Sequence, residues 1–451
     1  MSKTYRPFEP KQKYLLPPSP EEWLPEGHLA YFIQDLVETL DLRPLFAFYE
    51  RDHRGAPPHH PRMMVGLLLY AYCVGVPSSR KIELKTHEDV AFRVLAAGNH
   101  PDHTRIAEFR RLHSKLFSGF FVQVLKLCRK AGLVSLGHVA LDGTKEKANA
   151  SKHKAMSYGR MKEQEVALQQ KVKDLLAAAE AADADEDQRF GKSARGDELP
   201  KELQFAQSRL KRLQEAKAEL EAEAKAAQEQ EQKDKNDPPS GPSSPLPEHQ
   251  VPHLKDGTPT DKAQRNFSDP ESRIQKTGDG FIQGYNGQAM VDEHSQIIVA
   301  QALTNQSPDP EHLVPMVALM EQNLGTRPEK FSADAGYFSE ANLEVLAEKG
   351  IEAFIPPRRQ KHGQAPPPSL DAPPPTASAR ERMEHKLKTQ RGREEYAKRK
   401  GIVEPVFGQI KEVRGFRQLL RRGLDAAQSE WALICTTHNL LKLFRASALV
   451  A

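Results

Sequence analysis

The sequence has few cysteines and no apolar run long enough to cross a membrane. Its 451 residues include three cysteines, Cys73, Cys128 and Cys435, far apart and in apolar, helix-like surroundings. This pattern excludes a disulfide framework or a cysteine-ligated metal site and indicates buried thiols in a reducing compartment. The longest apolar run, residues 63–76, falls short of the roughly 20 residues that span a bilayer. No charged-then-apolar signal pattern opens the chain, so we expect a cytoplasmic protein without membrane contact.

Charge of one sign is not in large excess either. Lysine and arginine total 65 and the acids total 61, so the formal net charge is +4. That value is modest for this length, and only clustering of the cations can point to a nucleic-acid partner. The length allows two to four domains with substantial cores.

The N-terminal third is predicted to be helical. Residues 1–26 are rich in proline and predict an extended arm, and residues 27–135 show the apolar periodicity of an all-helical domain. Ser78 or Ser79 is placed to cap one helix, and Asp102 the next. A helix, a glycine-containing turn and a basic helix suggest a helix-turn-helix DNA-binding domain, although a helical bundle with a charged outer face explains the pattern equally well. The residues assigned to its DNA-binding surface are Arg80, Arg105, Arg110 and Arg111.

Residues 159–261 form a separate, highly charged stretch. Apolar residues recur there at heptad spacing, with a break at residues 183–200, and most of the others favour helix. The heptad positions are Met161, Leu168, Leu175, Leu203, Leu210, Leu213, Leu220 and Ala227. We predict a long helical hairpin, an antiparallel coiled coil, that protrudes from the globular fold because its apolar stripe is narrow. Residues 237–262 are rich in Pro, Ser and Gly, which predicts a flexible return linker.

Residues 136–158 and 262–451 are predicted to form an α/β catalytic core. Short β-type runs alternate there with amphipathic helices. The predicted strands are residues 138–141, 281–292, 296–303, 330–334 and 351–356. Their order, with one hairpin and intervening helices, predicts a mixed sheet covered by helices on its faces. Residues 358–378 are proline-rich and basic and are expected to be disordered.

Three acidic residues are the candidate catalytic groups. Asp142 and Asp334 each end a short apolar run and precede a glycine within two residues, which places a carboxylate at the carboxyl end of a buried strand. Taken alone, either aspartate is more often a turn residue than a ligand. Glu404 and Lys411 are two helical turns apart and would point the same way on a helix. A solvated face with a spaced ion pair is the plain alternative for that stretch.

Carboxylates that converge on one point raise one another's pKa unless cations compensate them. Oxygen-only ligation suits Mg²⁺ or Mn²⁺, and two such ions about 3.5–4 Å apart would support in-line displacement at a phosphodiester. Nearby cations would hold the phosphate backbone. The cations assigned to this role are Lys145, Arg399, Lys400, Lys411, Arg414 and Arg417. Asp292 precedes a tight hairpin and is predicted to be a turn residue, and His438 a packing or capping histidine.

Five blocks of sequence follow one another across most of the chain. They are Pro101 to His113, Leu141-Asp-Gly-Thr-Lys-Glu-Lys to Ser151, Gly280-Phe-Ile-Gln-Gly-Tyr-Asn-Gly-Gln288, Ala333-Asp-Ala-Gly-Tyr337 and Val403-Glu-Pro-Val-Phe-Gly-Gln-Ile-Lys411. In these blocks the chain resembles a bacterial insertion-sequence transposase of the DDE type, which has an RNase H-like core. It is similar to the group with an InsH-like helical N-terminal domain and a charged insertion after the first aspartate (eleven-eighty-two type, four/five superfamily).

The resemblance implies a catalytic and metal-binding triad of Asp142, Asp334 and Glu404, with Lys411 contacting the DNA end. Tyr396 would support this site. Tyr285 and Asn286 would either pack beneath it or lie on the sheet surface.

One departure from the family signature concerns spacing. The signature has Tyr, two residues, Arg, three residues, Glu, six residues, Lys. Tyr396 and Arg399 keep the first spacing, but Glu404 lies one residue too far along. Either Lys400 takes the role of the arginine or Gly401 lets the helix adjust. Because Pro405 suits only the first turn of a helix, we also expect Glu404 at a helix start.

The expected function is that of a DNA transposase. It would bind double-stranded terminal inverted repeats and target DNA as a homodimer, and would use two Mg²⁺ or Mn²⁺ ions for cleavage and strand transfer. The alternatives are an RNase H-like nuclease without strand transfer and a non-catalytic DNA-binding derivative of a transposase. The presence of all three acids argues against the second alternative.

Overall fold

The computed structural model describes residues 19–51, 57–190, 201–236, 246–278, 280–358 and 376–448. They form two compact units, one ending at His113 and including the C-terminal residues from Leu443, the other running from Ser114 to Lys442. The first 18 residues of the predicted arm and residues 359–375 of the predicted disordered segment lie outside the described residues. No helix in the described part of the chain is long and apolar enough to cross a membrane.

The first unit is helical, as its periodicity predicts. Its helices are α1 (Leu29–Thr39), α2 (Arg43–Tyr49), α3 (Pro61–Cys73), α4 (Ser79–Glu88), α5 (Val90–Leu95) and α6 (His103–Leu112). The apolar helix α3 is buried along most of its length. Asp102 caps α6, because its carboxylate accepts from the backbone N–H groups of Thr104 at 2.9 Å and Arg105 at 3.0 Å. Ser78 occupies the corresponding position of α4 without a side-chain bond.

The second unit begins with helix α7 (Leu116–Lys130), which the sequence pattern groups with the preceding helices. Its apolar face is buried, and Cys128 Sγ lies 3.7 Å from the carbonyl oxygen of Asn439. All three cysteines are buried free thiols, as predicted. Burial raises the pKa of the Cys128 thiol to about 12.

A mixed sheet forms the centre of the second unit, as predicted. Its strands are β1 (His138–Lys147), β4 (Arg273–Thr277), β5 (Gly280–Asp292), β6 (Ile298–Thr304), β7 (Lys330–Ala333) and β8 (Glu352–Phe354). Strand β5 pairs antiparallel with β1 on one side and with β6 and β4 on the other, whereas β1, β7 and β8 run parallel to one another. The order across the sheet is therefore β4 and β6, then β5, β1, β7 and β8.

Strand β1 is longer than predicted. We expected the chain to turn away at Asp142, but it continues along β5 as far as the pair Lys147 and Gly284. Gly143 does not form a turn; it is a position in the continuous strand where the absence of a side chain leaves space. A Cβ atom there would lie 2.6 Å from Gln288 Nε2 and 3.0 Å from Tyr337 Oη, so glycine leaves room for side chains that cross the strand.

The charged insertion consists of two helices, α8 (Tyr158–Phe190) and α9 (Lys201–Asn236). They pack antiparallel, as the ion pair between Glu165 and Lys217 at 2.7 Å and the Tyr158–Glu221 hydrogen bond at 2.7 Å indicate. Buried residues between them include four of the predicted heptad positions, Met161, Leu168, Leu213 and Leu220. The helical hairpin is thus present, while coiled-coil supercoiling stays a prediction.

The base of this hairpin is closed by an ordered return segment. Strands β2 (Ala155–Ser157) and β3 (Gln264–Asn266) pair antiparallel there. The prediction of a flexible linker is wrong for residues 246–262, because Val251 joins the buried cluster of the helices and Thr304 Oγ donates to the carbonyl of Pro247 at 2.6 Å. Residues 237–245 of that linker lie outside the described residues.

The remaining helices cover the sheet. They are α10 (Leu313–Leu324), α11 (Glu340–Glu348), α12 (Ala379–Lys388), α13 (Gln390–Gly408) and α14 (Leu424–Ala448). Ser339 caps α11, accepting from the N–H of Asn342 at 3.0 Å. Trp431 of α14 is fully buried and packs on β5, where a Cβ at Gly287 would lie 3.1 Å from its ring.

Candidate active site

The two candidate aspartates lie beside each other on adjacent parallel strands. The last registered pair of β1 and β7 is Leu141 with Ala333, and Asp142 and Asp334 are the next residues of the two strands. Asp142 accepts from the N–H of Gly143 at 2.8 Å, and Asp334 from the N–H of Gly336 at 2.8 Å. The expected juxtaposition is therefore present at the carboxyl end of β7, although β1 continues past it along β5.

Burial makes the Asp142 carboxylate costly to ionise. Desolvation raises its pKa to about 6, Arg399 opposes the rise, and the neighbouring Asp334 adds to it. A largely desolvated acid with another acid beside it is stabilised by nearby positive charge, of which Arg399 supplies one unit. This is the electrostatic condition of a cation site.

Arg399 joins the first aspartate to the glutamate. Its Nη1 lies 2.9 Å from Asp142 Oδ2 and its Nη2 lies 3.6 Å from Glu404 Oε1. Arg399 is buried, and Tyr396, on the same helix, interacts with its guanidinium. Lys400 is exposed. The irregular spacing left two alternatives, that Lys400 replaces the signature arginine or that the helix adjusts at Gly401. The contacts favour the second, with Arg399 as the signature arginine.

Glu404 lies within helix α13 and not at a helix start, so that prediction is wrong. The helix continues through Pro405 to Gly408. Proline has no N–H for the carbonyl four residues earlier, and its ring crowds that carbonyl. Here the carbonyl belongs to Gly401, and Gln296 Nε2 donates to it at 2.9 Å. A side chain from the β5–β6 hairpin thus replaces the missing helical hydrogen bond.

Lys411 follows in a π-helical turn, Gln409–Val413, that continues α13. Its Nζ donates to the backbone carbonyl of Lys145 at 2.9 Å and lies 3.1 Å from Glu146 Oε1. Glu146 is almost wholly buried, and desolvation raises its pKa to about 7 although Lys411 opposes the rise. Arg399 and Lys411 therefore both contact acids of strand β1, at positions four residues apart.

A fourth acid, Asp309, lies near the site and is not among the predicted residues. Its Oδ1 accepts from Asn286 Nδ2 at 2.8 Å and from Gln288 Nε2 at 3.2 Å, and Lys145 Nζ is 3.8 Å away. Tyr337, just after Asp334, donates to Gln288 Oε1. These contacts explain why polar residues occupy buried positions of β5. Asp309 stands between two prolines in a loop, where no periodicity marks it.

The other predicted residues are distributed differently. Asn286 packs beneath the site, whereas Tyr285 is buried against Asp269, with its hydroxyl 2.9 Å from Oδ1. Asp292 accepts from the N–H of His294 at 3.0 Å, as a turn residue does, and His438 is packed, with Nε2 2.9 Å from the carbonyl of Gln296.

The cations assigned to DNA differ in exposure. Arg414 donates to Thr437 Oγ1 at 2.8 Å, and Arg110 donates to Tyr72 Oη at 3.0 Å and to the Pro77 carbonyl at 2.7 Å. Both are buried, so their guanidinium groups are hydrogen-bonded within the protein and do not lie on its surface. The exposed members of the set are Arg80, Arg105, Arg111, Lys400 and Arg417.

The donor set suits a hard divalent cation, since the clustered side chains are carboxylates. Within the described residues, however, no three acidic, histidine or cysteine side chains gather closely enough to hold one ion. Arg399 contacts both Asp142 and Glu404. Asp142 and Asp334 are thus the residues whose position and charge fit a metal best.

Two family models match the chain. A transposase DDE domain matches residues 247–440, which include Asp334 and Glu404, and a second transposase domain matches residues 18–112. Asp142 lies between the two matched segments. Comparisons with curated proteins and with solved structures gave no match.

The mixed sheet covered by helices, together with the matched segment, defines the class of DDE-domain proteins. Since both matched segments are transposase domains, the chain belongs to the insertion-sequence DDE transposases. Its assignment to one insertion-sequence group stays a prediction.

Proposed function

We propose that this transposase binds the ends of its own insertion sequence as a homodimer and carries out metal-dependent phosphodiester cleavage and strand transfer. The observation that carries the proposal is the adjacency of Asp142 and Asp334, which follow the last registered pair of β1 and β7, with Arg399 linking Asp142 to Glu404. These residues lie in a chain whose second half matches a DDE domain.

Asp142 and Asp334 would hold the divalent ions, and Glu404 is the proposed third ligand. A bound pair of ions would activate the attacking water or 3′-hydroxyl and stabilise the leaving oxygen. The protein's own contribution is to place buried carboxylates beside each other and to hold cations around them. Arg399 neutralises Asp142. The proposed phosphate contacts are Lys145, farther along the same strand, and the exposed part of Lys411, which reaches that strand from the π-helical turn.

Glu404→Gln tests the catalytic assignment. The substitution removes one negative charge and keeps the size, so Mg²⁺-dependent cleavage of a terminal-repeat duplex should be lost while binding of that duplex stays equal or becomes tighter. The two measurements are a cleavage assay and fluorescence anisotropy on the same DNA. Normal cutting and joining by Glu404→Gln would remove the glutamate from the mechanism.

DNA recognition is assigned to the first unit, and two adjacent arginines of α6 provide a matched pair. Arg111 is exposed, with only Glu108 at 4.0 Å, whereas Arg110 is buried. Arg111→Gln should weaken end binding and reduce the log–log salt slope by about one unit, as for one lost phosphate contact. Arg110→Gln should lower the melting temperature because buried acceptors lose their donor. Equal effects of the two variants on the salt slope would contradict the assignment.

A further inference from the structure

A groove runs along the base of the helical hairpin in the second unit. Its volume is about 820 Å³, and it lies between helix α9 on one side and the segments around β2 and β3 on the other. His153 and Lys154 line the second wall. His153 is the sixth residue after Lys147, the end of strand β1, so this wall starts within about 20 Å of that strand.

The groove carries positive charge that no ion pair among the described residues neutralises. Arg209 and Arg212, one turn apart on α9, and Lys154 opposite them are exposed and line it. No acidic side chain of the described residues forms an ion pair with these three. Of the two acids in the lining, Glu219 pairs with Arg265 at 2.5 Å and Glu215 lies 4.0 Å from Lys211. The excess charge therefore favours a polyanion as the occupant.

Two aromatic side chains project into the same groove. Phe205 of α9 is 71% exposed and Phe267, which follows β3, is 38% exposed, whereas eight other phenylalanines of the described residues are buried. Duplex DNA presents phosphates to such a wall but keeps its bases stacked inside. Unpaired bases, in contrast, stack on exposed rings while cations follow the backbone.

We propose that this groove binds a segment of DNA whose bases are unpaired, with Arg209, Arg212 and Lys154 on its phosphates and Phe205 and Phe267 against its bases. The proposal rests on the proposed function only for the identity of the polyanion as DNA. It assigns the insertion a binding site of its own, separate from the carboxylates on the sheet.

The test measures binding of a fluorescent thymidine oligonucleotide to the full-length chain, by anisotropy and over a series of salt concentrations. Arg209→Gln with Arg212→Gln should reduce the log–log salt slope by about 1.4, since each single-strand phosphate contact contributes about 0.7. Phe205→Ala should weaken binding at least about fivefold with an unchanged salt slope, because only stacking is lost. Phe267→Ala should act in the same direction.

Lys211→Gln is the matched control. Lys211 lies between the two arginines on α9, carries the same charge and does not line the groove. Its substitution should leave oligonucleotide binding almost unchanged, because its 4.0 Å pair with Glu215 joins two exposed side chains and is weak. Cleavage of a fully paired terminal-repeat duplex by the groove variants should also stay at the wild-type rate.

Three results would overturn the proposal. The first is that the wild type does not bind the oligonucleotide. The second is that Lys211→Gln loses as much oligonucleotide affinity as the double arginine variant. The third is that a duplex of equal length displaces the oligonucleotide while neither phenylalanine substitution changes the affinity. In each case, intact end binding and cleavage would leave the proposed transposase function standing. A change in oligomeric state of Phe205→Ala without a change in oligonucleotide affinity would identify the groove as a contact between copies and would likewise overturn it.

Discussion

Strand β1 carries two acid–base pairs that are alike in sequence and different in setting. Asp142 pairs with Arg399, and four residues on, Glu146 pairs with Lys411. Both cations come from helix α13 and the π-helical turn that continues it. The side chain of Asp142 is 20% exposed and has Asp334 beside it, whereas that of Glu146 is 2% exposed. Similar local chemistry therefore produces an open pair at the proposed reaction centre and a sealed pair within the fold.

The difference indicates what each pair contributes. Burial raises the pKa of both acids, to about 6 for Asp142 and to about 7 for Glu146. An open acid with a raised pKa can exchange its cation partner for a metal ion. A sealed one can only keep its partner or take up a proton. We expect the first pair to govern activity and the second to govern stability.

The largest expected effect separates the two pairs by activity. Asp142→Asn and Asp334→Asn should each reduce Mg²⁺-dependent cleavage by about 1000-fold or more, and the double variant should be little worse, since the acids act as one group. Thermal stability of Asp142→Asn should change little, because the neutral amide removes the cost of a buried carboxylate while Arg399 keeps its contact with Glu404. A cleavage assay and a melting curve check both points. Wild-type cleavage rates in either variant would contradict the comparison.

The second effect concerns stability. Lys411→Met leaves Glu146 buried without its cation, and the free energy of unfolding should fall by about 2–3 kcal/mol, less than for a fully buried pair because Lys411 is 25% exposed. Combining it with Glu146→Gln should restore most of the loss. Urea titrations measure both variants, and Lys400→Met is the control for an exposed cation of the same stretch.

The pH dependence of that loss has a definite sign. The folded-state pKa of Glu146 is raised, so its contribution to stability is fully present below about 4.5 and is lost as pH rises through about 7. Without Lys411 the folded-state pKa rises further, so the deficit of Lys411→Met should grow between pH 7 and pH 8. If the loss of unfolding free energy in Lys411→Met instead shrinks over this interval, Glu146 is not the group that the substitution leaves without a partner.

The smallest expected effect is the acid limb of activity. A metal ligand must be deprotonated, and the pKa of Asp142 is about 6. At low metal concentration, cleavage should fall about tenfold per pH unit below pH 6, and added Mn²⁺ should move this limb to lower pH. If the pH at which cleavage falls does not depend on the metal concentration, the titrating group is not Asp142 but another acid, such as Glu146.

The sequence by itself determines a large part of this protein, for local reasons. Apolar periodicity depends on neighbouring residues only, so it predicts the helices of the first unit, the helical hairpin and most strands of the sheet. The Asp102 and Ser339 caps follow from their own side chains. The prediction that Asp142 and Asp334 meet needs the further assumption that their strands are adjacent and parallel. The register of β1 and β7 supports it, even though β1 runs on past Asp142.

Tertiary structure decides what depends on distant partners. An Asp-Gly pair reads as a turn, but β5 holds Asp142 and Gly143 in a strand because side chains from elsewhere fill the space beside the glycine. Pro405 reads as a helix start, but Gln296 satisfies the carbonyl that it leaves unpaired. Arg110 and Arg111 look equivalent in the sequence, but tertiary packing buries Arg110 and leaves Arg111 exposed. Asp309 approaches the site through Asn286 and Gln288, two residues of another element, so no spacing within its own loop could reveal it.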